Sequence, residues 1–257
     1  MPFINHQYLN DIEAELAQAG SVESFVWSTA ADTDVGRVRS RNEDAFFCTE
    51  EQGLWIVADG MGGHSRGDKA SQVVVDDVRS FVRFDSFTES IKDIETRFLL
   101  SNNTCRAMFP QEKVGSTAAA LFAFGSLSVF LWVGDSRIYR LRDGILTLMT
   151  EDHSLVQERY RRGELTLEEA QQDPSANVLT QAIGVHQNLR VDMQCASVAR
   201  HDRYLLCSDG LYRDLLGDEI QAHLGEGDIQ EALDNLMKLA LERGGKDNIT
   251  AMIVQVD

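Results

Sequence analysis

Two apolar runs in this chain break off on the same dipeptide. Leu54-Trp55-Ile56-Val57-Ala58 leads into Asp59-Gly60, and Tyr204-Leu205-Leu206-Cys207, followed by Ser208, leads into Asp209-Gly210. An apolar run that stops at Asp-Gly reads as a buried strand ending in a tight turn. Each run therefore puts a carboxylate at a strand tip, where the backbone has room to bend round a ligand. Two further acids stand in similar company, in Asn42-Glu43-Asp44 and in Lys246-Asp247-Asn248. Carboxylates drawn together repel strongly. A hard divalent cation resolves that repulsion, because oxygen donors are the ligands it prefers.

The charge balance narrows the partners. With 24 Lys and Arg against 41 Asp and Glu, the 257 residues carry a formal charge of −17. Nucleic acid and anionic membrane surfaces both need surplus Lys and Arg, so neither is expected as a partner. Metal ligation accounts for part of the excess, and a solvated acidic surface for the rest. The four cysteines, Cys48, Cys105, Cys195 and Cys207, form no C-x-x-C pair, which argues against a zinc ribbon or a thioredoxin-type site. The apolar neighbours of Cys48 and Cys207 suggest buried, reduced thiols. The start of the chain lacks the basic region and long apolar stretch of a signal peptide. No apolar run reaches the roughly 18 residues that span a bilayer. A cytoplasmic location is expected.

The first 24 residues read as a separate extension. Leu9, Ile12, Leu16 and Ala19 recur at helical spacing before Gly20-Ser21 breaks the pattern. From residue 25 to residue 257 the chain reads as one domain. Strands are expected at 24–30, 45–49 and 54–58. A helix is expected over 69–83, turning Val74, Val78, Phe81 and Val82 inward, and another over 91–108. Gly125-Ser126 interrupts an apolar stretch as a hairpin turn, and Arg142-Asp143-Gly144 separates strands at 138–141 and 145–149. Asp228 opens an amphipathic helix that Gly244 stops, and 249–256 is a last strand. Consecutive hairpins beside paired helices point to antiparallel sheets covered by helices.

Two familiar spacings are decoys. Gly62, four residues on to Gly67, begins like a P-loop, but Asp68 stands where the lysine belongs and would repel phosphate. Cys207 to Arg213 fits the C-x5-R loop of cysteine-based phosphatases. There Asp209 would put a carboxylate into the phosphate cradle, and nothing nearby lowers the thiol pKa. A buried strand thiol is the better reading. The arginines of Arg37-Val38-Arg39-Ser40-Arg41 suit either a surface ion-pair cluster or a phosphate grip, since the guanidinium fork donates to two oxygens at once.

Eight pieces now line up: 39–44, Asp59-Gly60-Met61-Gly62-Gly63-His64, Gly115-Ser116-Thr117, Gly134-Asp135-Ser136-Arg137, Thr150-Glu151-Asp152-His153-Ser154, Leu179-Thr180-Gln181-Ala182-Ile183-Gly184, Ser208-Asp209-Gly210-Leu211 and Gly245-Lys246-Asp247-Asn248. In this order they resemble the bacterial branch of the type 2C metal-dependent protein phosphatases, from about residue 28 to the C-terminus. The resemblance implies an α+β fold, an αββα four-layer sandwich with two central antiparallel sheets flanked by helix pairs. It implies two manganese or magnesium ions, with a third more weakly held. Asp59 would bridge the two ions and the Gly60 carbonyl would bind one. Asp209 and Asp247 would ligate the other. Glu43 and Asp44 would act directly or through waters, and Asp135 would help hold the third ion. Arg39 would hold the substrate phosphate, with Ser136 and Asn248 in support. A flap at about 155–176 carries Arg159, Arg161 and Arg162. These arginines are read as a solvated helix face, with substrate contact as the alternative.

The chain also departs from the family pattern. Human-type members place a histidine directly after the bridging Asp-Gly. Here Met61 stands there and His64 follows three residues later, as in bacterial relatives, so His64 is the proton-donor candidate. The usual His-Pro and Arg-Asn after the flap are Asp173-Pro174 and Ala176-Asn177. The implied activity is hydrolysis of phosphoserine and phosphothreonine in proteins by a metal-activated water, in a monomer opposing a Ser/Thr kinase. Two rivals are a catalytically inactive binding module, which should lack a metal ligand, and a cysteine phosphatase using Cys207.

Overall fold

The computed structural model describes residues 4–18, 25–62 and 66–257. In chain order the elements are α1 (His6–Gln18), β1 (Trp27–Asp34), β2 (Asp44–Thr49), β3 (Leu54–Met61), α2 (Gly67–Val78), α3 (Phe87–Met108), β4 (Gly115–Ser116), β5 (Ala118–Phe124) and β6 (Leu127–Val133). There follow β7 (Arg137–Arg142), β8 (Ile145–Leu148), α4 (Leu155–Arg161), α5 (Leu167–Gln172), β9 (Asp192–Ser197), β10 (Arg203–Cys207), α6 (Asp209–Tyr212), α7 (Gly217–Gly225), α8 (Ile229–Glu242) and β11 (Ile249–Val256). One sheet runs β1-β11-β10-β7-β8. The other runs β2-β3-β5-β6-β9, with β4 paired to β3 off that path.

The strand pleat builds the layers. Successive side chains of a strand point to opposite faces, so a strand covered on both sides feeds two cores. In β3, Leu54, Ile56 and Ala58 join a core with Val74 and Val78 of α2 and Ile91, Ile94 and Phe98 of α3. Trp55 and Val57 point the other way, into a core shared with Tyr204, Leu206, Met252 and Val254 of the opposite sheet. In β11, Ile249, Ala251 and Ile253 pack with Leu233, Leu236 and Ala240 of α8, while Met252, Val254 and Val256 face between the sheets. The order is helices, sheet, sheet, helices: an antiparallel αββα sandwich.

Local chemistry sets the turns and caps. Asp143 and Gly144 between β7 and β8 both take positive φ, 51° and 75°, which is the signature of a type I′ hairpin. The Asp228 carboxylate caps α8 by accepting from the amides of Gln230 and Glu231. Ser86 caps α3 through Glu89 N, so that helix starts at Phe87, earlier than its periodicity indicates.

Several boundaries differ from the sequence reading. Strand β1 runs on to Asp34 because every residue from Trp27 pairs with β11. Neither Asp-Gly is a tight turn. Strand β3 continues through Asp59-Gly60 because Gly115-Ser116 pairs with Gly60 and Met61, whereas Asp209-Gly210 begins the short helix α6. Helix α2 stops at Val78, and the amides of Ser80 and Phe81 then bond to carbonyls three residues back. That tighter turn buries Phe81 but leaves Val82 54% exposed, so Val82 is not a core residue. Cys48 is only half-buried, whereas Cys207 is buried. Ala19 and the Gly20-Ser21 break lie outside the described residues.

Helix α1 packs on α3, and its Leu9 and Ile12 are buried in the same core as β3 and α2. Leu9→Ala should therefore destabilise the domain by about 2–4 kcal/mol in urea unfolding. A cost no larger than that of an exposed-site control would show that α1 does not dock in solution.

Candidate metal centre

The site lies where the inter-sheet layer changes from apolar to polar. Stepping by twos along its strands, Trp55 and Val57 lead to Asp59, Phe46 leads to Asp44, and Ala119 leads to Thr117. On the other sheet Ile138 leads to Ser136, Leu206 to Ser208 and Met252 to Thr250. Asp44 and Asp59 are directly opposed in the β2–β3 register. Hydrogen bonds knit this polar end across the sheets. Thr117 Oγ1 and Ser136 Oγ are 2.6 Å apart, and Ser208 Oγ donates to Asp44 at 2.7 Å. Thr117 Oγ1 also accepts from the Asp59 amide at 2.9 Å.

Above this floor, Glu43, Asp59, Asp135, Asp209 and Asp247 line one cleft together with Arg39 and Arg213. Four of the acids at this end, Asp44, Asp59, Asp135 and Asp209, hold their protons more tightly than free carboxyl groups do. Burial first, then Asp44, Asp209, Asp135 and Asp247, push Asp59 well above the ordinary carboxylate range. Burial pushes Asp135 up to about 7, reinforced by Asp209 and Asp152 and opposed by Arg213 and Arg137. Burial likewise holds Asp44 at about 6, with Ser208 and Thr250 partly offsetting it, and raises Asp209 despite Arg213. Among the described residues no donor reaches the Asp59 carboxylate. No three His, Cys, Asp or Glu side chains among them converge as a finished metal cage. The two guanidinium groups stand among the acids instead. Arg39 Nη2 lies 2.7 Å from Asp247, and Arg213 Nη2 lies 3.1 Å from Asp209 and 3.2 Å from Asp135. An all-oxygen donor set, acids raised by burial and then by one another, and an Asp59 carboxylate that meets no donor among the described residues together fit a hard divalent cation.

The loop carrying Arg39 and Glu43 is clamped by Asn248. Its Oδ1 accepts from the Glu43 amide at 2.8 Å, and its Nδ2 donates to the carbonyls of Val35 and Arg41 at 2.9 and 2.8 Å. The Glu43 carbonyl accepts from Gly60 N and from Ser71 Oγ, and its carboxylate accepts from Gly67 N at the start of α2. Only glycine fits here. A Cβ on Gly60 would sit 2.1 Å from the Gly67 carbonyl oxygen and 2.5 Å from that of Glu43.

Other sequence-singled residues fall elsewhere. Arg37 is not a free surface residue, because its Nε donates to the Leu241 carbonyl and its amide to that of Gly245. Arg41 stands 3.9 Å from Asp68. In the flap, Arg159 pairs with Asp173 and Glu164, Arg162 with Glu158 and Glu164, and Arg161 with Glu151. His64 lies outside the described residues. Cys207 points into the core under α8, away from the cleft, and burial pushes its thiol up to about 12. The sequence reading missed Thr117 and Arg213 as site residues. Thr117 was visible in Gly115-Ser116-Thr117, and Arg213 only as the end of the C-x5-R decoy.

Three comparisons bear on this arrangement. The sequence matches the family model of Protein phosphatase 2C over residues 36–253. It is 35% identical over 237 residues to the serine/threonine phosphatase stp of Listeria monocytogenes, covering 88% of this chain and 94% of that protein. PppA of Pseudomonas aeruginosa, a key regulatory component of T6SS, superposes with a TM-score of 0.84 at 38% identity, over 92% of this chain and 99% of that one. The catalytic domain of the serine/threonine protein phosphatase PstP, solved with 2 manganese ions, superposes with a TM-score of 0.81 at 31% identity, over 91% and 99%.

Two measurements check this geometry. Asn248→Ala leaves the Glu43 amide and two carbonyls unpaired. It should cost about 1–3 kcal/mol in stability and weaken manganese binding about 10- to 100-fold. Unchanged calorimetric affinity would show that the clamp does not shape the site. The second check is pH. A carboxyl raised in the folded state contributes stability that is present below its unfolded pKa and lost as pH rises through its folded value, here about 6 for Asp44 and about 7 for Asp135. A bound cation removes that loss. The Tm gained on adding saturating manganese to chelated protein should therefore widen between about pH 5.5 and about pH 8. A gain that narrows over this range contradicts the assignment.

Proposed function

From a chain that belongs to the protein phosphatase 2C family and is a metal-dependent serine/threonine phosphatase, we propose that the reaction is carried by the cleft where Asp59, Asp209 and Asp247 meet Arg39. The supporting observation is the set of raised carboxyl groups at the polar end of the inter-sheet layer. In this reading Asp59 would hold two manganese or magnesium ions, the Gly60 carbonyl would hold one of them, and Asp209 and Asp247 would hold the other. Glu43 and Asp44 would act directly or through waters, and Asp135 would help hold a third, weaker ion. Bound divalent cations supply Lewis acidity, which makes water a better nucleophile at neutral pH and screens the phosphoryl oxygens.

The chain's own groups supply position and charge. Arg39 gives one nitrogen to Asp247, and that contact raises its own pKa, so it stays cationic. Its other donors grip the phosphate of a phosphoserine or phosphothreonine. Attack by water on phosphorus breaks the bond to the side-chain oxygen, which takes up a proton. His64 is the proposed source of that proton. Asn248 and Ser136 keep the cleft floor in register.

The substrates are phosphoproteins. A cognate Ser/Thr kinase must make them, and the acidic surface suits basic sequences around the phosphosite. We place the protein in the cytoplasm as a monomer. Its four free thiols support a reducing compartment. Among the described residues no helix is long and apolar enough to cross a membrane.

Phosphopeptide hydrolysis with manganese, with chelator and with two variants tests the reading. Asp59→Asn should lose activity by orders of magnitude, while Cys207→Ser should keep it with a modest stability cost. Full turnover by Asp59→Asn in chelator would overturn the metal mechanism. Loss of turnover in folded Cys207→Ser would instead restore the cysteine mechanism.

Arg39→Lys keeps the charge and loses the fork. It should lower kcat/KM on phosphopeptide about 10- to 150-fold, the equivalent of roughly 1.5–3 kcal/mol, with manganese affinity little changed. Arg41→Lys, on a side chain whose nearest carboxylate is 3.9 Å away, should be nearly silent. Equal small effects at both positions would mean that Arg39 is not the phosphate grip.

A further inference from the structure

Arg213 touches both the carboxylate cleft and the segment by which the chain leaves the flap. It caps α6, its amide bonding to the Asp209 carbonyl at 3.0 Å. One helical turn separates the two residues, so the Arg213 side chain folds back over Asp209. Its guanidinium then divides. Nη2 stands 3.1 Å from Asp209 Oδ2 and 3.2 Å from Asp135 Oδ2. Nη1 donates to Asn177 Oδ1, on the segment by which the chain leaves the flap.

That segment is itself tied to the flap. The Ala176 amide bonds to the Asp173 carbonyl and the Val178 amide to that of Ser175. The Asp173 carboxylate holds Ser175 and also Arg159 of α4, at 2.7 Å. The Val178 carbonyl accepts from the amide of Leu155, where α4 begins. Ion pairs and hydrogen bonds therefore run from Asp135 and Asp209 through Arg213 to Asn177, and from its chain neighbours Ala176 and Val178 on to α4.

We propose that Arg213 is a positioning residue that couples occupation of the carboxylate cleft to the hold on the flap. The proposal rests on the assignment of Asp209 and Asp135 as cation ligands. A guanidinium and a divalent cation both draw on the same two carboxylates, so each weakens the other's grip. A loaded cleft holds Arg213 less tightly, and Arg213 in turn holds Asn177 less tightly. By linkage the flap exit and the cation then report on each other with one coupling energy.

The two arms can be cut separately. Arg213→Gln removes the competing charge and should bind manganese at least about 5-fold tighter by calorimetry, within the usual range of such couplings. Arg213→Lys restores the charge and should return the affinity toward wild type. Asn177→Ala cuts only the flap arm and should remove only the part of the affinity change that passes through the flap. Hydrogen exchange over residues 155–180 supplies the second readout. In wild type it should quicken on adding manganese. In Asn177→Ala and Arg213→Gln it should be fast already and indifferent to the metal.

Manganese affinity that is unchanged or weaker in folded Arg213→Gln overturns the proposal. So does wild-type exchange over 155–180 that ignores manganese. If Arg213→Gln does not fold, Asn177→Ala alone decides, because exchange there that still responds to manganese like wild type overturns the coupling. A wild-type protein that binds no manganese, or an Asp209→Asn variant that binds it as tightly as wild type, would refute the metal assignment itself. Wild-type binding lost in Asp209→Asn, beside a folded Arg213→Gln whose manganese affinity equals that of wild type, refutes the coupling alone.

Discussion

Everything in this molecule depends on strands that are buried on both faces. A strand between two apolar layers can place a carboxylate only at its end, because an acid in its middle would lose its hydration without compensation. Asp59 sits two residues beyond Val57 on the inter-sheet face, where the apolar layer stops. Asp44 faces it across one pair of strands. The pleat therefore gathers these acids along one edge of the sandwich, and the buried Asp202 just before β10 is matched by Arg142 and the Tyr204 hydroxyl.

Gathering the acids creates the reactivity. Burial first, and then neighbouring acids, raise the proton affinity of Asp59, Asp135 and Asp209 in the cleft, with Arg213 opposing at the last two. On the proposed assignment, a divalent cation would relieve the same burial and repulsion that raise these acids. The neutral groups beneath them matter for a different reason. Thr117, Ser136, Ser208 and Asn248 satisfy buried polar atoms while fixing loops from both sheets, so the acids are held in place. The glycines at 60 and 67 let two backbones touch where no side chain fits.

The contrast between neighbours in β10 and its exit shows how little separates a reactive group from an inert one. Cys207 and Ser208 are adjacent, and the pleat sends them to opposite faces. Cys207 lies under α8 with its thiol pushed up to about 12, while Ser208 reaches the cleft floor and bonds Asp44. A C-x5-R spacing read without that parity suggests a nucleophile that the fold has put in the core.

Much of the fold and site is legible in one dimension because it depends on local chemistry. Strand β11, the Asp143-Gly144 hairpin and helix α8 follow from hydrophobic period, turn residues and a capping aspartate. The order of the Asp-bearing pieces marks the family and points to a metal-dependent phosphatase. Other features required the assembled chain. That β3 runs past Asp59-Gly60 depends on β4, a partner about 55 residues away. That Arg213 serves Asp135 and Asn177, 78 and 36 residues distant, depends on loops from both sheets meeting at one edge. Local propensity determines which residues form an element. Only packing determines which charges share a cleft, because interaction between charges depends on distance through space and not along the chain.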